Sequence, residues 1–209
     1  FEVKKEEELE IKEVRDTINK LRAKNLDDDA FIKKFSDIFK ENKMESISEG
    51  TFFSSILFIS ALDETNKIET FLEKFENAES PQMQGRYRAV LGQVRDENAS
   101  KKIVEFMLDG RIRGADCPYI LASMVTNKYI GKKSWKVIKE NFNGLLCVMP
   151  DWTASRILDA LPAIYDEEFA GDIKNFIKKN PLPSSEKLAA QKLERLEANI
   201  EFMDNLKEV

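Results

Sequence analysis

Histidine is absent from the 209 residues of this chain, and its absence limits the chemistry that the chain could perform. Without an imidazole there is no Ser-His-Asp triad, no Cys-His pair and no zinc site with histidine ligands. Cys117 and Cys147 are the two cysteines, too few for a thiolate zinc cluster or a disulfide framework. We therefore expect no catalytic residue, no metal ligand and no cofactor within this chain, and a reducing, cytoplasmic location.

Arginines provide the candidate binding residues. Arg111 and Arg113 lie in a predicted turn between helices, from which a guanidinium could pair with the carboxylate of a peptide. Because Arg113 lies three residues before Asp116, we favour a local ion pair that holds the turn. Arg86 and Arg88 are two residues apart on a predicted helix, so at most one of them faces a binding surface, and solvated charge is the default for both. The candidate substrate contacts are Arg111, Arg113 and Arg86.

Three further groups have a structural interpretation that we favour over a functional one. Trp135 and Trp152 fall among apolar neighbours at helical spacing, which indicates core packing rather than a stacking platform. The carboxylates from Glu6 to Glu10 point in different directions on a helix, which is typical of a solvated first turn rather than a metal site. Cys117 precedes a proline at a predicted helix start, where the pKa of a thiol is lowered, but no histidine is present to act as its base.

The composition is that of a globular chain with a substantial core, because 42% of the residues are hydrophobic and 34% are charged. A net charge of -5 and a pI near 5.2 argue against nucleic acid as a partner, since nucleic-acid-binding domains carry clustered Lys and Arg. The most apolar stretch, Phe52 to Leu62, is about half as long as a membrane span. It predicts a buried core helix, and we expect no membrane as a partner.

Helical signals dominate the sequence, which has eight glycines and six prolines and few runs of alternating β-branched residues. Apolar residues at helical spacing predict a first helix over about Glu6–Lys24, and the acidic residues Asp27 to Asp29 mark the start of a second. Ser80-Pro81 and Cys117-Pro118 predict further helix starts, and Gly110 predicts a helix end. The sequence therefore predicts an all-α fold.

The helix starts recur at a regular interval. Starts near Ser48, Ser80, Asp116 and Pro150 are separated by roughly 32 to 36 residues, a spacing typical of stacked helix pairs. Since each pair alone would leave an apolar side exposed to water, the pairs are expected to stack. We predict an αα-superhelix of stacked HEAT- or ARM-like helical hairpins with one concave wall, closed by a last helix that starts near Ser185.

Several motifs carry a resemblance to a known family. They are Ala89-Val90-Leu91-Gly92, Arg95-Asp96 and Ile112-Arg113-Gly114-Ala115-Asp116, then Asn127, Gly131, Trp135 and Glu140-Asn141-Phe142, and the closing run from Leu193 to Met203. In this order they resemble the C-terminal helical domain of the gluzincin zinc aminopeptidases of the puromycin-sensitive and aminopeptidase N type. Ala115 and Phe142 stand where that family usually has Gln and Trp.

The resemblance implies that residues 1–209 form one helical-repeat domain at the C-terminal end of a larger zinc aminopeptidase. In that family, a preceding domain supplies an H-E-x-x-H helix, a glutamate zinc ligand and a G-x-M-E-N segment. Neither motif occurs in this sequence, so the resemblance implies that zinc belongs to the parent enzyme. The implied role is non-catalytic: the domain caps the catalytic cleft and forms the chamber that admits peptides. Its implied partners are the N-terminal catalytic domain and peptide substrates.

An independent HEAT-like scaffold that binds a protein or a peptide on its concave face is the alternative interpretation. The coding sequence upstream of Phe1 distinguishes the two, because an H-E-x-x-H motif there supports the aminopeptidase and a start codon just before Phe1 supports the scaffold. Since the chain begins at Phe1 rather than at Met, we expect a piece of a longer protein.

Overall fold

The computed structural model describes residues 29–41, 50–182 and 186–207, and all regular secondary structure within these ranges is helical. The predicted all-α fold of stacked helices is thereby confirmed. The predicted first helix over about Glu6–Lys24 and the helix start at Ser48 lie outside the described residues. By its internal contacts the chain divides into two compact units, Phe1–Asn66 and Lys67–Val209. The single domain over residues 1–209 stays a prediction.

The first unit contains helix α1 (Asp29–Lys40) packed against helix α2 (Gly50–Ala61). Their buried aromatic and aliphatic residues recur at three- and four-residue spacing, which places them on the facing sides of the two helices. These residues are Ile32, Phe35, Phe39, Phe53, Ile56 and Leu57. The predicted core helix over Phe52–Leu62 is thus present.

The second unit contains the remaining described helices. They are α3 (Ile68–Glu76), α4 (Pro81–Leu91), α5 (Ala99–Leu108), α6 (Cys117–Val125), α7 (Gly131–Glu140), α8 (Phe142–Val148), α9 (Asp151–Ala154), a 3-10 segment (Ser155–Ala163), α10 (Glu167–Lys179) and α11 (Glu186–Lys207). From α3 to α8, helices pack against helices one, two or three positions further along the chain, as expected of stacked helix pairs. No helix among the described residues is long and apolar enough to cross a membrane.

Local capping signals set several of these helix ends as predicted. The Ser80 hydroxyl oxygen accepts a hydrogen bond from the Met83 N–H at 3.2 Å, and Pro81 occupies the first turn of α4. Pro118 occupies the first turn of α6. Beyond the end of α5, Gly110 has a φ of 73°, a left-handed conformation that glycine adopts without a Cβ penalty. The predicted helix boundaries at these positions are confirmed.

Polar contacts recur at the predicted repeat interval. The hydroxyls of Ser100 and Ser134 are 2.7 Å apart in space and 34 residues apart in sequence. The Lys132 ammonium donates to Asp166 at 2.7 Å, again across 34 residues. These separations fall within the spacing of roughly 32 to 36 residues that the sequence predicts for stacked pairs. Each helix pair in this region is therefore bonded to the next one.

The pattern changes after Pro150, where the sequence predicts another regular helix pair. The structure has the four-residue helix α9 and then the 3-10 segment, which contains Pro162. Proline lacks an N–H and its ring clashes within an α-helix, so a regular helix cannot continue through residue 162. Helix α11 packs against this segment: Asn199 donates to the Pro162 carbonyl at 2.7 Å, and Lys192 pairs with Asp159 at 2.9 Å.

Candidate functional site

The connection between α5 and α6 carries two of the three predicted contact residues. Its backbone is fixed at both ends: the Arg111 N–H donates to the Phe106 carbonyl at 3.0 Å, and the Asp116 N–H donates to the Arg113 carbonyl at 2.8 Å. Ile112 is fully buried between the two arginines and anchors the connection in the core. The arrangement presents Arg111 and Arg113 to solvent from a rigid turn.

Arg111 links this connection to the end of α3. Its Nε donates to a Glu76 carboxylate oxygen at 2.6 Å, and one terminal nitrogen donates to the other oxygen, in a bidentate pair. The guanidinium carbon lies 3.5 Å from the centre of the Phe106 ring. Hydrogen bonding to Glu76 raises the pKa of Arg111 above its usual value. Two of its five N–H donors are therefore engaged by a partner within the chain.

Arg113 and Arg88 converge on Asp116. Arg113 Nε donates to one Asp116 oxygen at 3.1 Å, which confirms the predicted local ion pair. Arg88 donates to the other oxygen at 2.5 Å, so the prediction that Arg88 is a solvated charge is wrong. Its side chain reaches from the last turn of α4 to the start of α6, a partner 28 residues away that helical spacing alone does not indicate. The three groups carry one net positive charge, and the Arg113 side chain is 78% exposed.

Arg86, the third predicted contact, lies on α4 with its guanidinium against the same helix. One terminal nitrogen lies 3.3 Å from the Met83 sulfur, one turn earlier. The structure thus brings Arg113 together with Arg88 through Asp116, and it gives Arg111 a separate partner. The three substrate contacts, Arg111, Arg113 and Arg86, stay predictions.

Two glycines from the motifs that resemble the aminopeptidase family lie very close to the backbone of another segment. At Gly114, a Cβ atom would lie 2.0 Å from the Val148 carbonyl oxygen at the end of α8. At Gly131 it would lie 2.5 Å from the Val125 carbonyl oxygen. Real Cβ atoms do not come so close to an oxygen, so any side chain at these positions requires the backbone to move. Gly114 thus allows the arginine-bearing connection to approach the end of α8, and Gly131 allows the start of α7 to approach the end of α6.

Buried Asp and Asn residues shape the turns between paired helices. The Asp96 carboxylate accepts from the Asn98 N–H at 3.1 Å and from the Ile68 N–H at 3.1 Å, at the start of α3. One repeat later, the Asn127 side-chain oxygen accepts from the Tyr129 N–H at 2.9 Å. Asx turns of this kind satisfy backbone donors that lack helical partners. Each of these two side chains therefore stabilises the turn in which it lies.

Asn127 also bonds to the preceding turn, since its amide donates to the Gly92 carbonyl at 3.1 Å and the Val94 carbonyl at 3.4 Å. In the first unit, Asp63 forms the equivalent turn and accepts from the Thr65 N–H at 2.9 Å. Burial would raise the pKa of Asp63, but hydrogen bonds, among them those from Thr65 and Lys40, lower it to about 2. An Asx turn of this kind thus occurs in both units.

The two tryptophans have opposite environments. Trp135 is buried, as predicted, and its indole N–H donates to Asp172 at 3.0 Å. Trp152 is 76% exposed, so its prediction as a core residue is wrong. Helix α9 has a single turn, in which Thr153 and Ala154 take the buried positions. At about 100° per residue, Trp152 lies about 100° from Thr153 and about 200° from Ala154 around the helix axis, so it points away from the side that these two residues bury.

Cys117 is also corrected by the structure. The sequence predicts a lowered thiol pKa because Cys117 opens a helix, but its side chain is fully buried. Burial, together with the charge of the adjacent Asp116, raises the pKa of Cys117 to about 12. Burial in an apolar environment disfavours the thiolate more than the helix start favours it. Cys117 is therefore a packing residue.

Zinc, the metal that the family resemblance implies, does not fit the residues present here. Across residues 29–41, 50–182 and 186–207 there is no group of three or more His, Cys, Asp or Glu side chains that could hold a metal ion. The chain as a whole has no histidine. No zinc ligand is therefore assigned among the described residues.

One comparison with known proteins identifies the family. The family model described as the ERAP1-like C-terminal domain matches residues 2–198, which is nearly the whole sequence. The match covers the arginine-bearing connection, the buried Asx turns and the close-approach glycines described above. This chain belongs to the ERAP1-like C-terminal domain family, the C-terminal domain of M1 aminopeptidases.

Proposed function

We propose that this chain is the non-catalytic C-terminal domain of a zinc aminopeptidase, in which it caps the catalytic cleft and forms the chamber that admits peptides. The observation that supports this most strongly is the family match over residues 2–198. In this proposal a preceding domain holds zinc and removes N-terminal residues from peptides. That domain and the peptide substrates are the partners of this chain.

The hydrogen bonds between successive helix pairs support a role in forming the chamber, because a chamber that selects peptides needs a wall that keeps its shape. Adjacent helix pairs of the second unit are joined by the Asn127 amide, by the Ser100–Ser134 contact and by the Lys132–Asp166 pair. Polar bonds between repeats add to apolar packing and fix the register of one pair on the next. The helical pairs would therefore supply shape, and the chemistry would lie elsewhere.

A cytoplasmic location belongs to the same proposal. Cys117 and Cys147 are both free, although Cys147 is exposed. Unpaired thiols persist in reducing compartments, whereas secreted proteins tend to pair them.

The proposal is tested directly by assaying the purified 209-residue chain with aminoacyl-coumarin substrates in the presence of zinc. We expect no hydrolysis above the rate of buffer alone, because the chain lacks histidine ligands and a metal-activated water. In parallel, the full-length protein should release the N-terminal residue of a peptide. Zinc-dependent turnover by the chain alone would overturn the proposal, and so would a full-length protein that has no aminopeptidase activity.

Arg113 is the best candidate for contact with peptide. Among the described residues Asp116 is its one partner, and Arg88 also pairs with Asp116. The carboxylate thus remains paired if Arg113 turns toward a ligand. The terminal nitrogens of Arg113 can then bind a peptide carboxylate in the bidentate manner typical of guanidinium groups.

Replacing Arg113 by alanine in the full-length enzyme should lower kcat/KM for a ten-residue peptide by at least about tenfold, because the bidentate pair has two charge-assisted hydrogen bonds and one alone is worth about 1.5–3 kcal/mol. The value for an aminoacyl-coumarin should not change, because that substrate is too short to reach the arginine. Lys133→Ala, which also removes an exposed cation with one acidic partner, is the matched control. Equal losses on both substrates would assign Arg113 a structural role.

A further inference from the structure

A groove runs between α10 and α11, the last two described helices of the second unit. Its volume is about 460 Å³. Apolar atoms of Ala170, Gly171, Leu196 and Ile200 line it, and charged side chains stand along its rim. Sites for small ligands and single side chains have volumes of roughly 300 to 1,000 Å³. The groove is therefore large enough for one or two side chains of a partner.

Gly171 forms part of the floor of the groove and leaves it open. It lies in the interior of α10, where glycine is less stable than alanine by roughly 0.5–1 kcal/mol. At Gly114 and Gly131 the backbone of another helix explains the glycine, but at Gly171 no described atom lies within 4 Å of the position that a Cβ would take. No contact among the described residues explains why this position has no side chain. The glycine keeps the floor of the groove open.

The charge of the groove indicates the chemistry of a partner. Glu167, Glu197 and Glu201 stand at the groove with one cation, Lys174. Lys174 pairs with Glu197 across the groove, which leaves Glu167 and Glu201 without an ion-pair partner among the described residues. Unpaired carboxylates beside an apolar floor favour a ligand that presents a cation next to an apolar side chain.

We propose that the groove between α10 and α11 binds a short basic peptide, with one large apolar side chain over Gly171 and a Lys or Arg beside Glu167 and Glu201. A second copy of the chain fits less well, because stable protein interfaces bury about 800 Å² on each partner and this site is a pocket for a few side chains. The groove is built on helices other than those of the arginine-bearing connection. The proposal therefore stands independently of the aminopeptidase role.

Fluorescence polarisation with the 209-residue chain tests this proposal. The probe is a fluorescein-labelled nonapeptide that alternates Lys with Leu, and the comparison peptide has Glu in place of each Lys. We expect saturable binding of the Lys peptide and at least tenfold weaker binding of the Glu peptide. Equal affinity for the two peptides, or no binding of either one, would overturn the proposal.

Gly171→Leu should fill the groove and weaken binding of the Lys peptide by at least tenfold. Gly85→Leu is the matched control, because Gly85 is also a mid-helix glycine with open space beside it and it does not line the groove. If Gly171→Leu does not fold, as judged by its helical circular dichroism, Glu201→Lys replaces it and should cause a similar loss. Unchanged binding by the folded variant would refute the proposal. So would a concentration-dependent dimer that the variant abolishes, since that result would assign the groove to a second copy.

Discussion

Gly114→Ala should destabilise the second unit by about 3 kcal/mol, at the upper end of what overpacking a well-packed site usually costs. The added Cβ would lie 2.0 Å from the Val148 carbonyl oxygen and 3.3 Å from the Pro150 ring. A backbone oxygen cannot rotate away as the end of a side chain can, so the turn and the end of α8 must separate. Urea denaturation followed by tryptophan fluorescence measures the change, because Trp135 and Trp152 both lie in this unit.

Gly85→Ala is the control for that experiment. It also adds one methyl group to a glycine in unit two, but no described atom lies within 4 Å of the new Cβ. Because alanine favours the helix over glycine, this variant should be as stable as the parent or up to about 1 kcal/mol more stable. If both variants behave alike, the close approach at Gly114 does not determine stability.

Asn127→Ala should lower the free energy of unfolding by about 3–5 kcal/mol. The side chain is buried and makes contact with four backbone groups, two as acceptor and two as donor. Its removal leaves those groups without a partner, at about 1–3 kcal/mol for each one that water cannot reach. Hydrogen exchange should also show that the amides of Tyr129 and Ile130 lose protection.

Two companion variants make this result specific. Asn77→Ala removes an exposed asparagine that bonds one carbonyl of its own helix, Glu73, and should change stability by less than about 1 kcal/mol. Asn127→Asp keeps the acceptor for Tyr129 but places a carboxylate against the Gly92 and Val94 carbonyls, so it should be destabilised as well. A stable Asn127→Asp variant would show that the bonds to the preceding turn contribute little.

The features that could be predicted from the sequence are those fixed by neighbours along the chain. Ser80 caps a helix through a bond to Met83, three residues away, and Gly110 ends one through its own backbone conformation. The helical class follows in the same way from apolar spacing, and the repeat interval follows from the recurrence of these signals. Within the described residues the helical class is confirmed, and the repeat interval holds as far as α8 but not after Pro150, where a short helix and a 3-10 segment replace a regular pair.

The features that could not be predicted depend on distant partners. Asp116 accepts a hydrogen bond from Arg88, 28 residues earlier, and no local sequence pattern at either residue indicates that they are partners. Trp152 fits an apolar pattern in sequence, but its exposure depends on which residues of the single turn of α9 are buried, and these are Thr153 and Ala154. Cys117 stands at a helix start that favours the thiolate, and only the packing around it shows that burial is the stronger effect. The Arg113–Asp116 pair, by contrast, joins residues three apart and could be predicted from the sequence.

The 3-10 segment has a consequence for how the C-terminal part of this chain is maintained. Hydrogen bonds of 3-10 geometry are weaker than those of an α-helix, and such runs rarely exceed three or four residues. This one extends over Ser155–Ala163. Helix α11 contacts it through the hydrogen bond of Asn199 to Pro162 and the ion pair of Lys192 with Asp159. Helix α11 therefore stabilises the 3-10 segment, and we expect residues 155–163 to lose their regular structure in a variant truncated before α11.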